Sequence, residues 1–132
     1  MKKNGIVNSD ISSVLSYMRH TDLICISDLG LPCPDNVNTI DISLKFGVPS
    51  FVDVLKEVIN DMKVESIILA EEIKSNNADV HNEILSIFGK DVSVQYISHS
   101  DFKKKTSNCK AIIRTGENTP YSNIIIKSAC IF

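Results

Sequence analysis

At 132 residues, 43% of them hydrophobic and 23% charged, the chain is long enough for one domain with a real core and too short for two. That composition excludes the disordered, collagen-like and coiled-coil classes. With 14 Lys+Arg against 16 Asp+Glu and a formal net charge of -2, the chain offers nucleic-acid phosphates little to bind.

Ser9 is a good N-cap for a first helix over 10–20, DISSVLSYMRH, whose Ile11, Val14, Leu15 and Met18 fall at helical spacing. DLICISD, 22–28, is short, β-branched and apolar, and it breaks at GLPCP, where a glycine and two prolines end regular structure. VNTIDISL, 37–44, reads as a second short strand. Ser50 precedes a helix with Phe51, Val54, Leu55, Val58, Ile59 and Met62 on one face. VESIILA, 64–70, then has the near-continuous apolar character of a buried parallel strand. NNADVHNEILSIFG, 76–89, is a helix stopped by Gly89, DVSVQYIS, 91–98, a strand, and SHSDFKKKT, 98–106, a short helix. CKAIIRTG and SNIIIKSACIF supply two more strands. This alternation predicts an α/β fold of three layers, α/β/α, around a mixed, mostly parallel sheet. No repeat or linker divides the single domain expected over 1–132.

The N-terminal MKKNGIVNSD carries two lysines with no apolar stretch behind them, unlike a secretory signal. No run approaches the roughly 18 apolar residues of a membrane span. A cytoplasmic protein without membrane partners is therefore expected. Cys25, Cys33, Cys109 and Cys130 form no C-x-x-C pair and sit mostly in apolar runs, which reads as reduced, buried thiols and not as a zinc site. Lys103, Lys104 and Lys105 read as a solvated helix face in an acidic whole.

Signatures of nucleotide binding, acyl transfer and zinc proteolysis are absent, so the candidates for chemistry are histidines and polar residues at strand ends. His20, in RHTD, can serve as a general acid or base; equally, it can be a histidine stabilised by the dipole of the helix it ends. Asp28 closes a strand ahead of a Gly and Pro loop, and His99 follows another strand at its carboxyl end. Open α/β sheets bind ligands at both kinds of position. The competing accounts are a turn-initiating aspartate and a cap-neighbour histidine. His81, inside a helix with acids nearby, reads as a surface residue.

TPYSN, just ahead of the last strand, is unusual. If extended, Tyr121 and Asn123 project together from one edge of the sheet, offering uncharged donors and acceptors suited to a neutral polyhydroxylated ligand. Alternatively Pro120 starts an edge strand, Tyr121 packs on the surface and Asn123 caps backbone groups.

The stretches GIVNSDISSVLSYMRHTD, ISDLGLPCP, KFGVPSF, ILAEEI, YISHSDFK and RTGENTPYSNIII, in this order over almost the full chain, resemble the D-ribose pyranase family. These are RbsD-type sugar mutarotases, a group that includes the fucose mutarotases. The resemblance implies an isomerase that interconverts pyranose and furanose forms of free D-ribose and feeds ribose catabolism, with no cofactor or metal. It further implies a homodecamer of two stacked pentamers. His20 matches the family's acid/base histidine, and Asp28, His99 and Tyr121, Ser122 and Asn123 match its sugar-binding positions. Arg19, Leu29, Phe46 and Asn118 depart from the family's usual wording without removing a functional side chain.

A fucose-type mutarotase and a sugar-binding accessory protein of ribose uptake are the alternatives; RHTD and YISHSDFK favour ribose. The strand 22–28, at about 3.3 Å per residue, holds His20 and Asp28 roughly 20 Å apart when fully extended. Either that strand is shorter and bent, or the site is composite; the ring assembly that the resemblance implies favours the second, with sites in clefts between adjacent subunits.

Overall fold

The computed structural model describes residues 1–132. In chain order it contains α1 (Ser9–Tyr17), β1 (Leu23–Ser27), β2 (Asn38–Asp41), α2 (Phe51–Asp61), β3 (Val64–Ala70), α3 (Ile73–Asn76), α4 (Ala78–Phe88), β4 (Ser93–Ile97), α5 (His99–Lys105), β5 (Ala111–Arg114) and β6 (Ile124–Ser128), with a 3₁₀ turn at Thr106–Asn108. The expected alternation of strands and helices is present.

Local chemistry sets the boundaries. Asn8, not Ser9, caps α1: its side-chain oxygen accepts from the Asp10 and Ile11 amides, each at 3.0 Å. At the other end, Met18 is already extended, with ψ 137°. The helix therefore stops three residues before His20, beyond the last-turn range over which a helix dipole acts. His20 lies instead in the turn into β1, followed by Thr21 at φ 71°. Ser50 caps α2 through the Asp53 amide, as its position suggested. Gly89 ends α4 at φ 65°, where a side chain is strained.

The six strands form one sheet in the order β2-β5-β1-β6-β3-β4. β1 and β2 pair with β5, and β3 with β4, in parallel, whereas β6 runs antiparallel between β1 and β3. The sheet is mixed and mostly parallel. β6 is not an edge strand: Ile124, Ile125 and Ile126 are all fully buried, and a run that is apolar on both faces belongs in a sheet interior. β3 is correspondingly parallel on one side only, and its burial is confined to its second half.

Alternate residues feed two cores, as the two-residue period of strands requires. One face carries Ile24, Ile26, Ile67, Leu69, Ile113, Ile124 and Ile126 against Ile11 of α1, Phe51 and Leu55 of α2 and Ile84 of α4. The other carries Cys25, Ile68, Ile112 and Ile125 against Phe102 of α5. Helices thus cover both faces, giving the three layers expected. His81 on α4 is half-buried, its Nε2 2.8 Å from the Tyr96 hydroxyl, which corrects its reading as a plain surface residue. No helix is long and apolar enough to cross a membrane.

Candidate active site

The carboxyl end of β1 delivers Asp28 into a tight bracket. Its Oδ1 accepts from the amides of Gly30 and Leu31, each at 2.9 Å, and its Oδ2 accepts from Asn123 Nδ2 at 2.8 Å. Asn123 returns the contact by accepting the Asp28 amide on Oδ1 at 3.0 Å. Because β6 runs antiparallel to β1, the residue just before β6 sits beside the residue just after β1, and this reciprocal pair closes the end of the sheet. Burial pushes the Asp28 carboxyl up, while the Asn123 side chain, the two amides and nearby His99 oppose that shift.

His99 and Tyr121 complete the group. Ser98 caps α5 through the Asp101 amide, and the Glu72 carboxylate receives the His99 amide on both oxygens at 3.0 Å, so the ring is held at the helix start. The Tyr121 ring meets the His99 ring edge-on, centroids 5.1 Å apart. Asp28, Gly30, Leu31, His99, Pro120 and Tyr121 line a cleft of about 280 Å³. His99 lines this cleft, and its Nδ1 is buried without a hydrogen-bond partner. A neighbouring recess of about 290 Å³ shares Asp28, Gly30 and Pro120 and adds Phe46 and Glu117.

Tyr121 reaches this position without being in a strand. Its φ is 58°, and β6 begins only at Ile124, so the expected pairing of Tyr121 and Asn123 on one strand edge does not form. The turn itself is braced. Asn77 Nδ2 lies 3.0 Å from Thr119 Oγ1, 2.9 Å from the Pro120 carbonyl and 3.0 Å from Ser122 Oγ. Ser122 is fully buried and also meets Thr119, so its hydroxyl serves the loop and does not line the cleft. Asn123, at 1% exposure, is likewise spent on Asp28. The suggestion that Asn123 caps backbone groups is partly right: the amide it satisfies is that of Asp28.

His20 stands elsewhere. Asp22 to Asp28 spans six residue steps of about 3.3 Å, so the turn holding His20 is roughly 20 Å from Asp28, at the opposite end of β1. There the imidazole is exposed and its Nε2 lies 2.7 Å from Glu65 Oε2. Lys127 donates to the other oxygen, Oε1, at 2.6 Å. The chain therefore presents two polar groups at two ends of the sheet: Asp28, His99 and Tyr121 at one, His20 with Glu65 and Lys127 at the other.

Sequence reasoning missed three residues that shape these ends. Glu65 and Lys127 carry a faint signal, each a charge within an otherwise apolar strand run. Glu117 is the third. This carboxylate, 8% exposed, accepts the Phe51 amide at the start of α2 and the Asn118 and Thr119 amides of the loop, which fixes the loop to the sheet. Its position directly after Gly116, in a loop next to the candidate residues, was the available clue.

The chain is similar to known proteins over its whole length. The sequence model of the RbsD / FucU transport protein family matches residues 1–131. A D-ribose pyranase of Halalkalibacterium halodurans is 50% identical over 132 residues, covering 100% of both chains. One of Bacillus cytotoxicus is 49% identical over the same span. Among solved structures, Bacillus subtilis RbsD complexed with D-ribose superposes with a TM-score of 0.97 at 44% identity, covering 100% of both chains. The fucose mutarotase of Streptococcus pneumoniae, solved with L-fucose, shares the fold at 20% identity, with a TM-score of 0.75 over 96% of this chain and 95% of that one.

Proposed function

The chain belongs to the RbsD / FucU transport protein family, and from that membership we propose that it is a D-ribose pyranase, an isomerase interconverting the pyranose and furanose forms of the free sugar. The observation that carries the reading within the molecule is the uncharged-ligand character of the cleft. Asp28, His99 and Tyr121 converge there with no arginine among the lining residues.

The reaction needs proton transfers only. The pyranose opens when the anomeric hydroxyl loses a proton and the ring oxygen gains one, and it recloses through a different hydroxyl. His20 is the group assigned to move these protons, a role that typically supplies about 10²–10⁴-fold. Asp28 accepts hydrogen bonds from sugar hydroxyls, His99 and Tyr121 hold further hydroxyls, and Asn123 keeps the Asp28 carboxylate aimed at the cleft. Ser122 belongs to the same stretch and acts on the ligand only through the loop it braces.

One chain cannot bring His20 and Asp28 onto a single ribose across roughly 20 Å of strand. The reading therefore includes a homo-oligomer, a decamer of two stacked pentamers, in which the His20 end of one subunit meets the Asp28 end of another. Exposed Leu44, Phe46, Ile131 and Phe132 give such an assembly apolar surface to bury. A cytoplasmic setting, where free ribose arrives for catabolism, completes the reading.

Saturation-transfer NMR on the anomeric protons of D-ribose tests it. The wild type is expected to speed exchange between pyranose and furanose signals, and His20→Ala and His99→Ala each to lose it. Mixing the two variants after joint refolding should restore about a quarter of wild-type activity, because random assortment leaves one intact site in four. No exchange with the wild type refutes the pyranase; no recovery on mixing refutes the shared site.

A further inference from the structure

We propose that Glu65 is the positioning residue of His20, holding its ring as the Nε2–H tautomer so that Nδ1 exchanges protons with the sugar, while Lys127 clamps Glu65; this rests on the pyranase reading. The argument begins with strand register. β3 and β6 pair Val64 with Ser128 and Ser66 with Lys127, so Glu65 is an extra residue with no partner across the ladder. This is a β-bulge.

In an unbroken ladder Glu65 would face opposite to Ser66, and therefore opposite to Lys127. The bulge re-aims it, and its Oε1 meets Lys127 Nζ at 2.6 Å. The second oxygen then receives His20 Nε2 at 2.7 Å. The backbone around His20 is fixed to the same strand. The Thr21 amide donates to the Ser128 carbonyl at 3.0 Å and the Ser128 amide to the Asp22 carbonyl at 2.9 Å, while Asp22 Oδ2 takes the Arg19 amide at 2.8 Å. With the turn and the ring both tied down, one freedom of the imidazole remains, which nitrogen carries the proton.

A carboxylate acceptor on Nε2 decides that. The Lys127 ammonium and the His20 contact hold the Glu65 carboxyl below the usual carboxylate range, so it is an anion at neutral pH. An anion accepts and cannot donate, which requires hydrogen on Nε2 and leaves the Nδ1 lone pair outward. The side chains of His20, Glu65 and Lys127 are 54%, 37% and 33% exposed. Ion pairs this exposed add little to stability, so the consequence of the arrangement is orientation.

Long-range proton–nitrogen correlation spectra of the ligand-free protein read the tautomer, and ribose exchange reads the rate. Wild type is expected to show Nδ1 unprotonated and Nε2 protonated. Glu65→Ala should mix the tautomers and lower kcat by roughly 10- to 100-fold, the size of the loss when the carboxylate behind a metal-bound histidine is removed. KM and the melting temperature should stay close to wild type. Glu65→Gln leaves its one acceptor oxygen to the Lys127 ammonium and turns its NH2 toward Nε2, so it should shift the proton to Nδ1 and also lower the rate, whereas Lys127→Met, which keeps the Glu65 carboxylate, should lie between wild type and Glu65→Ala. An unchanged tautomer in Glu65→Ala, or a rate within twofold of wild type, overturns the proposal. If the wild type itself fails to speed exchange, the pyranase reading falls, and the spectra still decide whether Glu65 sets the ring.

Discussion

Asn123→Asp changes one atom's identity at the Asp28 end and nothing in shape. The Oδ1 that accepts the Asp28 amide is kept, but the donor 2.8 Å from Asp28 Oδ2 becomes a second carboxylate oxygen. Two anions whose charge centres lie about 4 Å apart repel by about 4 kcal/mol at an effective dielectric of about 20. The charge-assisted hydrogen bond they replace is worth about 1.5–3 kcal/mol. The pair escapes by binding one proton, which at about 1.4 kcal/mol per pH unit gives a similar sum at neutral pH. The variant should therefore be about 3–5 kcal/mol less stable than wild type near pH 7. Burial already pushes Asp28 up, and the Asn123 donor is the largest effect opposing it. Removing that donor raises the folded-state pKa further above the unfolded value. A group raised in the folded state contributes stability that is complete below its unfolded pKa and lost as pH climbs through the folded one. The deficit should accordingly be smallest near pH 4 and widen toward neutrality. Urea unfolding at about pH 4.5, 6 and 7.5, at one fixed protein concentration, measures this. A variant as stable as wild type at pH 7, or one with a deficit that ignores pH, would refute the description of the bracket.

Gly116→Ala should destabilise by about 3 kcal/mol or more, or prevent folding, because the new Cβ would overlap the Val48 carbonyl oxygen and lie 2.6 Å from the Lys45 oxygen, both backbone atoms. Thermal melting within about 1 kcal/mol of wild type contradicts that packing. Burial pushes the Cys109 thiol up to about 12 and Cys25 well above its ordinary value, whereas Cys33 and Cys130 are half-exposed. Alkylation of the native protein near neutral pH, followed by mass spectrometry, should label Cys33 before Cys25 and Cys109; early labelling of Cys25 contradicts the core described.

What the sequence made legible is what neighbours along the chain decide. Ser50 and Gly89 bound their helices because capping and positive φ are local, and the apolar runs of β1 and β3 declare strands wherever they pair. Asp28 and His99 could be picked out because the carboxyl ends of strands in α/β sheets are where ligands bind. The central, antiparallel placement of β6 is different, since partners of a strand come from distant segments and an isoleucine run fits either direction. Tyr121 misled for a related reason: alternation is meaningful only inside a strand, and its left-handed backbone lies one turn outside. The bulge at Glu65 is harder still, because an extra residue in a ladder exists only relative to the partner strand.

β6 links these hidden features. Its first flank carries Asn123, which braces Asp28, and its far end carries Lys127 and Ser128, which brace Glu65 and the turn holding His20. The two polar ends are thus set by one strand whose three isoleucines are fully buried and admit no slip without turning apolar side chains to the wrong face. Antiparallel placement makes this possible, because only a strand running against β1 can begin beside the Asp28 end and finish beside the His20 turn. The shared site proposed above needs its two halves held at a constant separation within each subunit. A fixed register across a five-residue strand with four of its residues buried supplies that separation more rigidly than any loop connecting them.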